Sequence, residues 1–252
     1  MKSISANLNV MIRAGEKASK TLIRDFGELE QLQVSVKGNN DFVTNADLKV
    51  EKIIIDELSK SRKNYSILSE ENGSIIKEDL ENVWIIDPID GTINFLHGIP
   101  HFAISIALRS NDEIIAGLIY DPIKDEMFYA EKNNGAYLNN KRIRVSKRNK
   151  IENCLFACGE TDKENLKKNT NLKFSLRRTG SAALDMAYVA AGRYDGYFQK
   201  NLNLWDIAAG AIIVQEAGGN VNNLDIKKNN NINIIASSSS INEKLLQNLI
   251  NF

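Results

Sequence analysis

The chain contains few of the residues that mark several large classes of protein. Only two of its 252 residues are cysteine, Cys154 and Cys158, which excludes a disulfide framework and favours a reducing compartment. Basic and acidic residues both number 32, whereas proteins that bind nucleic acid or anionic membranes usually carry a basic excess. No apolar run is long enough to span a bilayer or to resemble a signal peptide. These absences predict a soluble, cytoplasmic protein without membrane or direct nucleic-acid partners.

The order of apolar residues predicts helices alternating with strands. Residues 4–26 have helical spacing, and a second helix is predicted to start at Thr44, where Thr44 and Asp47 would form a capping box. Further helices are predicted at 184–191 and 205–217, and strands at 66–69, 83–86, 102–108, 114–120, 127–130 and 194–198. With no internal repeat and no long linker, residues 1–252 are predicted to form one layered α/β (α+β) domain, with halves of about 1–145 and 150–252.

The segment WIIDPIDGTINF, residues 84–95, carries the strongest chemical signal. A buried strand delivers Asp87 at its C-terminal end, and Asp90 follows three residues later. Two carboxylates this close repel each other unless a cation lies between them. Gly91 permits close backbone approach, and N–H groups at Gly91 and Thr92 could bind an anion at the start of a short helix. Cleavage of a phosphate ester requires such a cation site beside an anion site.

The residue types favour one metal class and one mechanism. The chain has only two histidines, His97 and His101, and no cysteine pair near the acids, so an all-oxygen ligand set is expected, which suits Mg²⁺ or Mn²⁺ rather than zinc. There is no Gly-Lys dipeptide for a P-loop, no cysteine followed by arginine six positions later, and no Asp-x-Asp pair ending an apolar strand. The mechanism left after these exclusions is direct attack of a metal-activated water molecule on phosphorus.

Two motifs resemble those of the inositol monophosphatase family. They are Asp87-Pro-Ile-Asp90-Gly-Thr92-x-Asn94-Phe95 and the WDIAAG string at 205–210, and residues 35–47, 69–71 and 178–196 match as well. The resemblance extends from the N-terminal helix to about residue 220. It implies an αβαβα stack of alternating helix and sheet layers, a homodimer, and inhibition by Li⁺.

The resemblance also implies roles for individual residues. Two to three Mg²⁺ ions would be held by Glu70, Asp87, the carbonyl of Ile89, Asp90 and Asp206. Glu70, Thr92 and Asp47 would be catalytic, the last two as a pair that orients the attacking water. The substrate would contact Asp90, Gly91, Thr92, Gly180, Ser181, Ala182, Gln199 and Asp206. Asp47 could also cap its helix, and Asp206 occupies a helix start, where the dipole favours acids.

The part of the predicted site that would bind the alcohol group of the substrate, the alcohol end, departs from the family pattern. Inositol-cleaving members have an acidic residue seven positions before the aspartate of the Trp-Asp motif, and here that residue is Gln199; an expected glycine is Asn201. Inositol 1-phosphate or a related polyol or sugar phosphate is the leading substrate. The alternatives are a nucleoside 3′-phosphate, fructose bisphosphate or NADP, or a regulatory protein that binds the transcription machinery.

Overall fold

The computed structural model describes residues 4–32, 39–159 and 174–248. Its N-terminal layer consists of two packed helices, α1 (Ala6–Leu32) and α2 (Asn39–Ser61). Because α2 begins at Asn39, Thr44 lies within the helix and the predicted capping box is wrong. Residues 39–41 read Asn-Asn-Asp, so types that favour helix starts already occur one turn earlier. Residues 35–38 of the matched segment lie outside the described residues.

An eight-stranded sheet follows this helical layer. Its strands are β1 (Tyr65–Ser69), β2 (Gly73–Ile75), β3 (Asp79–Asp90), β4 (Ala103–Ser110), β5 (Glu113–Asp121), β6 (Glu126–Glu131), β7 (Gly135–Leu138) and β8 (Lys141–Arg142). A short helix, α3 (Thr92–Leu96), follows β3. The strand order is β2-β1-β3-β4-β5-β6-β7-β8, and β1–β3 is the parallel pair among antiparallel ones. The predicted antiparallel strands β4 to β6 are confirmed.

The C-terminal half forms a second sheet with its own helices. A 3₁₀ turn (Ile151–Asn153) precedes β9 (Leu155–Cys158), β10 (Ser175–Arg177), α4 (Ala182–Ala190), β11 (Gly196–Leu202), α5 (Leu204–Glu216), β12 (Gly219–Asn222), β13 (Ile232–Ser238) and α6 (Asn242–Asn248). The order of this sheet is β10-β9-β11-β13-β12. The predicted helices near 184–191 and 205–217 and the strand near 194–198 are present with shifted ends. In the described ranges, no helix has the length and apolar character needed to cross a bilayer.

Three apolar clusters fix the order of the layers. Trp84 and Ile86 of β3 pack with α1 and α2, whereas Ile85 between them packs with α4 and α5. This alternation is the period of a strand that is buried on both faces. On the second sheet, Tyr197 faces α4 and α5, and Phe198 faces the cluster that includes α6. The layers are therefore α1/α2, first sheet, α4/α5, second sheet and α6, which confirms the predicted αβαβα fold.

Candidate active site

Parallel pairing of β1 with β3 brings the first two acids together. Ser69 pairs with Ile86, and the N–H of Glu70 donates to the carbonyl of Ile86 at 3.2 Å. Because parallel strands end at the same sheet edge, Glu70 comes to lie beside Asp87. Asp87 is buried at 2% exposure, and Glu70 keeps a solvent-exposed side.

An irregular end of β3 shapes the segment from Asp87 to Thr92. The register with β4 shifts between Asp87 and Asp90, as in a β-bulge. The N–H of Ile89 donates to Asp87 Oδ1 at 3.0 Å, and the hydroxyl of Thr92 donates to the carbonyl of Ile89 at 2.8 Å. Ile89, whose carbonyl is the predicted ligand, is therefore held at its N–H by Asp87 and at its carbonyl by Thr92.

Close backbone contacts explain the glycine and the asparagine of the first motif. Gly91 has φ of 97°, and a Cβ there would lie 3.0 Å from the carbonyl oxygen of His101. This position therefore favours glycine on both conformation and space. The amide of Asn94 donates to the carbonyls of His101 and Thr179, each at 2.8 Å. Asn94 thus joins this turn to the loop that contains Gly180.

Asp90 is held by the N-terminus of α4. It accepts a short hydrogen bond from the Ser181 hydroxyl and further ones from the N–H groups of Ala182 (3.2 Å) and Ala183 (3.0 Å). Ser181 is itself the N-cap of α4, because its hydroxyl accepts from the N–H of Leu184 at 3.2 Å. A predicted substrate contact, Ser181, is thus placed behind Asp90 as its hydrogen-bond donor.

Asp206 enters the site from the first turn of α5. Its Oδ2 accepts a hydrogen bond from the N–H of Asn203 at 2.8 Å. The acid thereby stabilises the helix start, where the dipole favours negative charge, and it also faces the cavity. The position of Asp206 is therefore compatible with both roles considered from the sequence, the stabilisation of the helix start and the binding of a metal ion.

These segments enclose one cavity of about 350 Å³. Ten predicted site residues line it, namely Glu70, Asp87, Ile89, Asp90, Gly91, Thr92, Gly180, Ala182, Gln199 and Asp206. Asn203, which the sequence offered as an alternative to Gln199 for contact with the substrate, lines it too, as do Gly159 and Leu202, to which no local sequence signal pointed. Two predicted residues, Ser181 and Asp47, are not part of the lining.

Gln199 is held in place on the wall of this cavity. Its Oε1 accepts a hydrogen bond from the hydroxyl of the buried Tyr197 at 2.6 Å. A Cβ on residue 159 would lie 1.6 Å from the same Oε1, so Gly159 leaves the space that the Gln199 side chain fills. The residue predicted to contact the alcohol of the substrate is therefore an amide held in place by a phenol.

Asp47 and Thr92 are not hydrogen-bonded to each other in this structure. Thr92 donates to Ile89 instead, and Asp47 Oδ1 is buried with no hydrogen-bond partner among the described residues. Asp47 lies on α2, which packs against α3 where Thr92 begins the helix. A buried acceptor without a donor is costly, so Asp47 has unused hydrogen-bonding capacity close to this helix.

The acids of the site have pKa values well above their ordinary range. Burial is the main cause in each: it raises the pKa of Asp47 to about 8, of Glu70 and Asp90 to about 7 and of Asp206 to about 6, and that of Asp87 well above normal. Neighbouring carboxylates raise the pKa further for all of them except Asp206. The crowding of acids is the electrostatic condition that a bound cation would relieve.

The donor set fits a hard divalent cation. Four carboxylates and the Ile89 carbonyl present only oxygen to the cavity, which matches the preference of Mg²⁺. Within the described ranges, no three His, Cys, Asp or Glu side chains are arranged to hold a metal as they stand. The side chains of Glu70 and Asp87 share a hydrogen bond, so one of the two carries a proton that a bound cation would replace.

Comparison with known proteins agrees with the architecture and the motifs. Residues 5–251 match the model of the inositol monophosphatase family. An inositol-1-monophosphatase of Mesorhizobium japonicum is 45% identical, over 96% of each chain. The Nus factor SuhB of Escherichia coli K12 is 39% identical, over 96% of this chain and 95% of that one. The crystal structure of the extragenic suppressor protein suhB from Bartonella henselae superimposes with a TM-score of 0.87 at 48% identity, covering 97% of this chain and 98% of that one. The chain therefore belongs to the inositol monophosphatase family.

Proposed function

We propose that this chain is a Mg²⁺-dependent phosphomonoesterase whose substrate is inositol 1-phosphate or a related small polyol or sugar phosphate. The observation that carries the proposal is the convergence of Glu70, Asp87, Asp90 and Asp206, from the end of β1, from β3 and from α5, on a cavity beside Gly91 and Thr92. A pure binding module gains nothing from burying mutually repelling acids, whereas a cation-dependent phosphatase requires them. Family membership supports the hydrolytic class.

The cation-binding part of the proposal divides the ligands between ions. Glu70, Asp87 and the Ile89 carbonyl would hold one ion, and Asp87, Asp90 and Asp206 a second, with a weaker third near Glu70. Mn²⁺ is an acceptable substitute because it prefers the same oxygen ligands. When bound, Mg²⁺ would offset the negative charge that develops on the phosphoryl group.

The protein's own groups would bind and orient the reactants. The N–H groups of Gly91 and Thr92 would donate to phosphate oxygens. The carboxylate of Glu70, which lines the cavity, would lie beside the attacking water and accept a hydrogen bond from it. Thr92, supported by Asp47, would orient that water once its hydroxyl turns from the Ile89 carbonyl.

The identity of the alcohol depends on Gln199, which replaces the acidic residue of inositol-cleaving relatives. An amide accepts a hydroxyl hydrogen bond more weakly than a carboxylate does, and it also offers a donor. This feature supports weak binding of inositol 1-phosphate. It keeps nucleoside 3′-phosphates, fructose bisphosphate and NADP as alternative substrates.

A second role, in contact with the transcription machinery, is supported by a different observation. The Escherichia coli relative at 39% identity is named a Nus factor. Such a role would be compatible with catalysis, because it would use an outer surface of the protein. A homodimer, as the family resemblance implies, and a cytoplasmic location, as the composition predicts, are part of the same proposal.

A phosphate-release screen over a panel of phosphomonoesters tests the proposal. Hydrolysis should require Mg²⁺, stop with EDTA and be inhibited by millimolar Li⁺; full turnover in metal-free buffer would refute it. Affinity capture from cell lysate with the native protein and with Asp90→Asn would test the second role. RNA polymerase or its elongation factors recovered equally by both forms would support a contact independent of catalysis, and their absence from both would count against it.

A further inference from the structure

A fully buried carboxylate, that of Glu51 on α2, fastens the turn between β1 and β2. It accepts hydrogen bonds from the Ser69 hydroxyl (2.8 Å), the N–H of Glu71 (3.1 Å), the N–H of Asn72 (3.1 Å) and the side-chain amide of Asn72 (2.5 Å). A buried charge is tolerated where such donors surround it. Because all four donors belong to one turn, the carboxylate fixes the position of that turn relative to α2.

Glu70 is the residue that this arrangement encloses. Its neighbours Ser69 and Glu71 both donate to Glu51, while its own N–H donates to the Ile86 carbonyl on β3. The backbone of Glu70 is therefore held from α2 on one side and from β3 on the other. Only its side chain is left to reach into the cavity.

We propose that Glu51 is a positioning residue, which sets the cation affinity of the site by holding Glu70 where a cation can use its carboxylate. This inference rests on the proposed function. A ligand that is already in place loses less conformational freedom on binding, and changes to groups that orient metal ligands typically cost about 10–100-fold in affinity or activity.

The substitution Glu51→Gln tests the carboxylate with almost no change in shape. Oε1 accepts three of the hydrogen bonds and Oε2 accepts the one from Glu71. Whichever way the amide lies, its NH₂ group must face a donor that the carboxylate oxygen accepted. The turn should then loosen while the fold is retained.

A matched control is available at the opposite side of the first sheet. The carboxylate of Glu216 accepts from the N–H groups of Asn133 and Gly135, both at 2.7 Å, and so fastens the β6–β7 turn in the same manner. Glu216 does not line the cavity. Glu216→Gln should therefore lower thermal stability but leave cation binding unchanged.

The experiment measures Mg²⁺ binding by calorimetry, the Mg²⁺ dependence of aryl phosphate hydrolysis, and amide hydrogen exchange at residues 69–72. Glu51→Gln should raise the Kd for Mg²⁺ by about 10–100-fold and speed exchange in that turn, while excess Mg²⁺ restores most of kcat. Glu216→Gln should leave both the Kd for Mg²⁺ and the exchange rate at residues 69–72 unchanged.

The result that overturns the inference is a folded Glu51→Gln with the native Kd for Mg²⁺. If that variant does not fold, Ser69→Ala, which removes one of the four hydrogen bonds, decides the question: it should weaken Mg²⁺ binding several-fold, and an unchanged Kd would refute the role. Failure of the proposed function itself is separable, because the native protein would then show neither Mg²⁺ binding nor hydrolysis.

Discussion

The substitution Gln199→Glu tests the proposal that residue 199 contacts the alcohol group of the substrate. In the native protein, Gln199 Oε1 is engaged by the Tyr197 hydroxyl at 2.6 Å. A glutamate would keep that hydrogen bond with one carboxylate oxygen and leave the other to accept from a polyol hydroxyl. Such a charge-assisted bond is roughly twice as strong as a neutral one.

The expected gain follows from this difference. One charge-assisted bond in place of a weak amide contact is worth about 1–2 kcal/mol, which is roughly a 5–30-fold increase in kcat/KM for inositol 1-phosphate. Repulsion from Asp90 and Asp206 on the same cavity would reduce the gain, which places it toward the lower part of this range when Mg²⁺ is limiting.

The assay is steady-state hydrolysis of inositol 1-phosphate and of an aryl phosphate that lacks polyol hydroxyls, at saturating Mg²⁺. Gln199→Glu should improve the first and leave the second almost unchanged. Asn201→Asp is the matched control, since it adds the same charge two residues away on an exposed residue outside the cavity lining. Equal effects on both substrates, or an equal gain from Asn201→Asp, would show that Gln199 does not contact the alcohol.

Three further predictions follow from the acids of the site. Asp90→Asn and Asp206→Asn should each lower kcat by at least ~100-fold, because bound metals supply several kcal/mol of transition-state stabilisation. Thermal unfolding should show that both variants are folded. Near-native turnover by either variant would show that the substituted residue is not a metal ligand. Thr92→Ala should lower kcat more than it raises KM, whereas Thr92→Ser should be nearly silent. Asp47→Asn should resemble Thr92→Ala, and the double mutant should be little worse than either single mutant. Additive losses in the double mutant would show that Thr92 and Asp47 do not act as a pair. The pKa values of Glu70 (about 7) and Asp47 (about 8) in the folded protein exceed their ordinary values, so folding favours the protonated acids. In EDTA, the protein should therefore lose thermal stability as pH rises from about 5 to 8, and excess Mg²⁺ should suppress the loss. A Tm in EDTA that does not change with pH would contradict these pKa directions.

Local sequence was sufficient for much of the fold and for the core of the site. Period-2 and helical apolar patterns found β4, β5, β6 and the two central helices, because burial of one or both faces dictates which residues those elements carry. The string from Asp87 to Thr92 predicted a cation site beside an anion site, because repulsion between neighbouring carboxylates is a property of the chain segment itself. Family resemblance then supplied Glu70 and Asp206, which lie far from this string in sequence.

Other features depended on contacts that no local pattern encodes. Parallel pairing of β1 with β3 places Glu70 beside Asp87, and only the sheet order decides which strands become neighbours. Thr44 and Asp47 satisfied a capping-box pattern, yet α2 begins at Asn39, where Asn39, Asn40 and Asp41 already supply residue types that favour a helix start; local sequence offered two starts and could not choose between them.

The tertiary structure also revealed hydrogen bonds of residues for which the sequence predicted no role or a different one. Ser181 matched a substrate-contacting segment, but the fold turns its hydroxyl to Asp90. Glu51 carried no motif, and only the approach of α2 to the β1–β2 turn makes its carboxylate the acceptor of four hydrogen bonds. The sequence by itself determined which groups are available for the proposed cation and phosphate site. The tertiary structure decided which of them meet and what holds them there, because hydrogen bonds and burial between distant segments exist only after the layers have packed.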